Sequence, residues 1–192
     1  MYSKSISKLT MKELIVSNEI RLKEIGLDDV DKIFNIIDSE REYLAEWLPF
    51  VSITNEVADT MKFVKNYVEA ESKEPTFAIH FKNQLVGLIG LKDTDLDNQK
   101  TEIGYWLSQN YQHLGIVTES AAALINYIFD ELNLNRIQLK GATGNFKSQR
   151  VAERLGFIRE GIERDGELHE RGFVDLVVFG LLQKDRLQKS EY

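Results

Sequence analysis

The chain predicts an α/β fold: a mixed, twisted sheet with helices on both faces. Short runs in which apolar and polar residues alternate are interleaved with longer segments of helical spacing. Their order is strands and helices, then a meander, then strand–helix–strand–helix–strand–strand, as in sheets covered on both sides. The third observation is the stretch Tyr105–Glu119, where a strand runs through a tight polar corner into a long helix.

In chain order, Leu14–Val16 and Glu19–Ile25 read as strands across a turn at Ser17-Asn18, behind a loose tail over residues 1–10. Asp28 is placed to cap a helix whose apolar face is Val30, Ile33, Phe34 and Ile37. Arg41–Trp47 reads as a short helix ending before Pro49. Glu56–Glu71 follows as a helix with Val57, Met61, Val64 and Val68 on one side. Thr76–Phe81 and Gln84–Leu91 form a hairpin around Lys82-Asn83, and Asp93–Asn98 is an acidic turn. Lys100–Ser108 is the next strand.

The helix after Gly115 repeats Ala121, Ala122, Leu124, Ile125, Ile128, Phe129 and Leu132 on one face. Arg136–Ala142 is a strand. Asn145 caps a helix carrying Val151, Ala152 and Leu155, which Gly156 closes. Phe157–Arg164 and Val174–Leu182 are the last strands, joined through Asp165-Gly166-Glu167. With 192 residues and no linker, the expectation is a single domain over 1–192.

Composition narrows the functional classes. A hydrophobic fraction of 43% and a charged fraction of 29% suit a soluble globular protein. No apolar run reaches membrane-spanning length, and Leu14–Val16 is too short for a secretion signal, so the expectation is a cytoplasmic protein without a membrane partner. Without cysteine there is no disulfide, thiolate metal site or thiol nucleophile, and three scattered histidines form no metal motif. The net charge of −7 argues against nucleic acid and is compatible with a cationic acceptor, although solubility alone explains it as well.

The chemistry concentrates at the strand–loop–helix. Helix N-termini offer unpaired N–H groups and partial positive charge, which together hold anions. Read alone, the loop is equally an ordinary connection with Gly115 as a turn residue.

From Glu102 to Leu182 the chain resembles the GNAT-type N-acetyltransferases, in their RimJ/RimL-like branch. The residues that carry the resemblance are Glu102-Ile103-Gly104-Tyr105-Trp106-Leu107, Tyr111–Glu119, Leu134–Ile137, Gly144–Ser148, Leu155–Phe157 and Arg159–Gly161. The resemblance implies a mostly antiparallel sheet of about seven strands. It also implies an acetyl-CoA cosubstrate, no metal, and an amine acceptor such as the N-terminus of a basic ribosomal protein, with a homodimer as a possible assembly. A small-amine, polyamine or drug acetyltransferase and a non-catalytic acyl-CoA-binding module are the alternatives.

On this resemblance Gln112, His113, Leu114, Gly115, Ile116 and Val117 form the pyrophosphate loop. Val117 stands where a tiny residue is usual, and narrows the backbone approach. Trp106 and Leu107 lie on a bulged strand whose N–H groups hold the thioester carbonyl. Asn145 contacts the pantetheine arm. Seven positions beyond Asn145, where many members carry an acidic tyrosine, stands Ala152, and Ser148 takes over beside the leaving thiol. Glu167 on the terminal hairpin and Glu102 on the central strand are rival bases. Pleat alternation sets Glu102, Gly104 and Trp106 on one face and Ile103, Tyr105 and Leu107 on the other. Trp47, Phe50, Tyr105 and Trp106 are candidates to line an acceptor groove.

Overall fold

The computed structural model describes residues 13–70 and 74–187. The expected tail over residues 1–10 and the expected helix end at Glu71 lie outside these residues. Strands β1 (Glu13–Ile15) and β2 (Ile20–Glu24) make the first hairpin. Helices α1 (Val30–Ser39), α2 (Arg41–Ala45) and α3 (Val57–Glu69) follow. The meander is β3 (Thr76–Phe81), β4 (Gln84–Asp95) and β5 (Lys100–Leu107). Then come α4 (Ile116–Asp130), β6 (Arg136–Ala142), α5 (Phe146–Leu155), β7 (Ile158–His169), β8 (Gly172–Leu182) and the short α6 (Gln183–Leu187).

The strands join in one eight-stranded sheet, in the order β1-β2-β3-β4-β5-β6-β8-β7, one more than the resemblance implied. Every pairing is antiparallel except β5 with β6. Alternation assigns the two faces. Phe77, Ile79, Ile89 and Ile103 pack with α4 residues such as Leu124 and Ile128. Ala78, Leu88 and Trp106 pack on the other side with Ile33, Ile37 and Val64 of α1 and α3.

The strand expected to end at Leu91 runs on to Asp95, so only the second half of the expected Asp93–Asn98 turn is a turn, and four further local expectations change. Asp28 does not cap α1: a 3-10 turn over Leu27–Asp29 precedes the helix, and Asp29 Oδ2 accepts from the Gly26 N–H at 3.2 Å. On α3 only Thr60 and Val64 are buried, while Val57, Met61 and Val68 are exposed: the helix packs chiefly against α1, through Val64 and the partly buried Tyr67.

The segment Asp165-Gly166-Glu167 is not the final turn. Strand β7 runs on to His169, and the extra residues are absorbed as a bulge between the Glu163–Leu176 and Glu167–Val174 pairs. Asp165 takes φ +49° there and its N–H donates to Asp175 Oδ1 at 2.9 Å. Finally, Trp106–Leu107 carry no bulge. Register against β4 is continuous from Gly87–Leu107 to Lys92–Glu102, and the shifts lie beyond Lys92 and in the β3–β4 pair at Ile79–His80.

Candidate active site

The site begins where two strands part. β5 and β6 pair only through Lys100–Glu102 and Arg136–Gln138. Beyond that point β5 stays on β4 and β6 stays on β8, so a gap opens in the middle of the sheet. The N–H of Ser108 donates to the Val86 carbonyl at 2.8 Å, which sets the parity of the β4–β5 ladder. The N–H of Trp106 therefore points toward β4, and those of Tyr105 and Leu107 point into the gap. A cavity of about 1090 Å³ fills the gap and reaches both faces.

The mouth of the cavity is built from the turn after β5. Glu40, at the end of α1, accepts from Ser108 Oγ at 2.6 Å and from the Gln109 N–H at 2.7 Å, which fixes the exit of the strand. Gln112 is held from two sides: its amide donates to the Tyr43 hydroxyl, and its Oε1 accepts from Lys147 Nζ at 2.8 Å. Burial pushes the Tyr43 phenol up, so it remains protonated. His113 at φ +64° and Gly115 at φ +77° then reverse the chain into α4. Among the described residues the N–H groups from His113 to Val117 have no protein partner. Gln112, His113, Gly115, Ile116 and Val117 line the cavity, whereas Leu114 does not and is 54% exposed. Val117 is partly buried and packs against the core as well as lining the cavity.

Helix α5 forms the next wall. Asn145 caps it, its Oδ1 accepting from the Ser148 N–H at 3.1 Å, and both residues line the cavity. Ser148 Oγ lies 2.9 Å from the Tyr105 hydroxyl, a contact that links β5 to α5. Burial pushes the Tyr105 phenol up to about 12. Lys147, Arg150 and Arg154 also line this wall, and no carboxylate of α5 does. Ala152 is wholly buried in the core.

The opposite face carries the candidate bases. Glu102 is 4% exposed, with Lys92 Nζ 2.8 Å from Oε1 and Lys140 Nζ 3.8 Å from Oε2. The Lys92 contact is an ion pair without hydrogen-bond direction, since Oε1 has no hydrogen-bond partner. Lys140 in turn meets Glu163 Oε2 at 2.9 Å, and that bond raises the ammonium's pKa. Glu167 pairs across with Val174, which has the parity of Leu176, and so stands on the Glu102 face. It lines the cavity and its Oε2 is 2.7 Å from His169 Nε2.

Glu167 and Ser148 thus flank one gap from opposite faces of the sheet. Sequence reasoning missed the Tyr105–Ser148 contact, the clamps made by Glu40 and Tyr43, and the lysines around Glu102. Pleat alternation separates Tyr105 from Glu102, but nothing local places α5 over Tyr105.

Comparisons with known proteins agree with this geometry. Residues 19–158 match the family model described as Acetyltransferase (GNAT) domain. The chain is 32% identical to the protein named "Putative ribosomal N-acetyltransferase YdaF" of Bacillus subtilis, over 88% of this chain and 94% of that one. It is 27% identical to the ribosomal-protein-serine acetyltransferase of Escherichia coli, over 85% and 93% of the two chains. Among solved structures, the microcin C7 self-immunity acetyltransferase MccE, in complex with acetyl-CoA and AMP, superposes with a TM-score of 0.83 at 26% identity, covering 91% of this chain and 98% of that one. RimL, the ribosomal L7/L12 acetyltransferase in complex with coenzyme A, shares the fold with a TM-score of 0.85 at 21% identity, over 88% and 97%. With the family model spanning most of the chain, and a sheet parted beside the start of α4, this protein belongs to the GNAT family and is an N-acetyltransferase.

Proposed function

We propose that the chain, working as a single domain, transfers the acetyl group of acetyl-CoA to the N-terminal amine of a protein. The observation that carries this reading is the gap between β5 and β6, with Glu167 on one face and Ser148 on the other.

The residues present suit the donor. Unpaired N–H groups from His113 to Val117 match the demand of a pyrophosphate, and the basic wall of Lys147, Arg150 and Arg154 matches its charge. The cavity is at the upper end of ligand-site volumes, as a long, flexible cosubstrate requires. The N–H of Leu107 faces the gap and serves as donor to the thioester carbonyl oxygen, where negative charge develops. Among the described residues the Asn145 side-chain nitrogen has no hydrogen-bond partner, which leaves it for the pantetheine arm.

Acceptor chemistry belongs to the other face. Glu167 takes the proton that the amine loses as its nitrogen attacks the carbonyl carbon, directly or through a water. As the carbon–sulfur bond breaks, the Ser148 hydroxyl hydrogen-bonds the departing sulfur. Glu102 is the weaker candidate for base, because Lys92 and Lys140 already engage its carboxylate.

Charge helps to choose the acceptor. On this face Lys62, Lys92 and Lys140 balance Asp59, Glu102 and Glu167, so the net charge of −7 is not concentrated in the cavity. A polyamine would demand an acidic lining, whereas a peptide N-terminus carries one positive charge and an uncharged backbone. Names of relatives such as the ribosomal-protein-serine acetyltransferase support a ribosomal protein as the acceptor.

The test is mass spectrometry of N-terminal peptides, polyamines and small amines incubated with the protein and isotopically labelled acetyl-CoA. Label on peptide α-amines is the expected result. Label confined to polyamines or drugs would replace the acceptor class. Acetyl-CoA binding without transfer to any amine would make the chain a binding module.

A further inference from the structure

Ser148 supplies the only hydroxyl on α5, and its surroundings fix its direction. Its backbone N–H is committed to the Asn145 cap at 3.1 Å. Its Oγ has one protein partner among the described residues, the Tyr105 hydroxyl at 2.9 Å. Two hydroxyls in contact share one proton, and which of them donates decides what the pair can do. If Tyr105 donates, the Ser148 proton has no protein acceptor and is left to face the cavity that Ser148 lines. The opposite polarity would send the Tyr105 proton to the Ser148 carbonyl, which lies 3.5 Å away. A phenol is the stronger hydrogen-bond donor and an aliphatic hydroxyl the better acceptor, and the alternative acceptor for the phenol proton lies at the 3.5 Å limit of a hydrogen bond, so Tyr105 is the donor.

We infer that Tyr105 is a positioning residue for acetyl transfer: its hydroxyl donates to Ser148 Oγ and aims the serine proton at the departing sulfur. This rests on the role given to Ser148 above. Tyr105 gives up no proton in the net reaction. It remains a donor across the physiological range because burial holds its phenol protonated. Its place on β5 matters, since that strand also carries the Leu107 N–H facing the thioester. One strand thereby sets both the carbonyl donor and the direction of the leaving-group donor. The wall opposite is small: a Cβ at Gly141 would lie 3.5 Å from Ser148 Oγ, so the hydroxyl is not crowded off this line.

The experiment is a double-mutant cycle on the full chain, with Tyr105→Phe, Ser148→Ala and the pair. Single-turnover transfer to an acceptor from the screen is measured alongside acetyl-CoA affinity by calorimetry. Tyr105→Phe keeps the ring and its packing, so folding and affinity should hold while the transfer rate falls about tenfold. In the Ser148→Ala background the same change should have no further effect. Full activity in Tyr105→Phe overturns the inference. So does an equal loss in both backgrounds, which would mean that Tyr105 acts independently of the serine. Full activity in Ser148→Ala overturns it too, and separately removes Ser148 from the mechanism while leaving the acetyl transfer reading intact.

Discussion

The carboxylate of Glu102, almost wholly buried, stands 2.8 Å from the Lys92 ammonium, with Lys140 on its other oxygen at 3.8 Å. Glu102 is the last β5 residue paired to β6, so this cluster closes the apex of the gap. Both carboxylate oxygens thus face lysine ammonium groups. The first task of Glu102 is to keep β4, β5 and β6 together where two of them part.

Glu102→Gln should therefore cost stability more than rate. Removing the charge leaves Lys92 and Lys140 facing a neutral amide, at a cost of about 1–2 kcal/mol, since the lysines are partly exposed and screened. Denaturant unfolding beside single-turnover transfer checks this. A collapse in transfer with unchanged stability would make Glu102 the base.

Glu167→Gln should show the reverse. The amide keeps shape and a contact to His169 but cannot accept the amine proton. Turnover should fall by roughly 10²–10⁴-fold with acetyl-CoA affinity unchanged. Rates across pH, with the chosen peptide acceptor, are the measurement. Near-normal rates would mean that the amine loses its proton to bulk water and that the enzyme works by positioning.

Gly115→Val tests the loop. At φ +77° a β-branched side chain is strained, and a Cβ there would lie 3.4 Å from Glu119 Oε1. Acetyl-CoA binding should weaken at least about tenfold, or about 1.4 kcal/mol. Calorimetry on the folded variant decides it, and unchanged affinity would remove these N–H groups from the donor site.

The ion pair of Arg136 with Glu160 sets an acid limit. Hydrogen bonds from Arg136 hold the Glu160 carboxyl below its usual value of 4.5. A depressed pKa means that the stabilisation is present above 4.5 and is lost as pH falls through the depressed value. The pair bridges β6 and β7 over Gly180, where an added Cβ would lie 2.3 Å from Glu160 Oε1. Thermal unfolding should show the native chain ahead of Glu160→Gln near neutrality, with the gap closing as the medium is acidified below 4.5 and through the depressed value. A gap independent of pH would show that the pair contributes nothing through charge.

Much was legible in order along the chain. Periodicity placed the helices, because burial of one face repeats every three to four residues, as in Leu124, Ile125 and Ile128. Alternation placed Lys100–Leu107 as a strand and divided Glu102 from Tyr105. Local chemistry placed the Asn145 cap, the φ-positive Lys82-Asn83 turn and Gly115 at the helix start, since each depends on neighbouring backbone only. The Asp165-Gly166 pair misled for the same local reason: a turn signal serves equally well as a bulge, and only the pairing of Glu167 with Val174 chooses between them.

The sequence alone thus determined most of the elements, the loop that opens α4 and most of the candidate residues that line the cavity. The tertiary structure decided which of them meet. Whether β5 and β6 stay paired depends on partners more than thirty residues apart, Glu102 with Gln138 and then none. Contacts from distant elements turned Glu102 into an ion-paired strut, set Glu167 across the gap from Ser148, and brought Tyr105 onto the serine. No local pattern encodes such meetings, because they arise from packing helices on both faces of a sheet whose strand order is not its chain order.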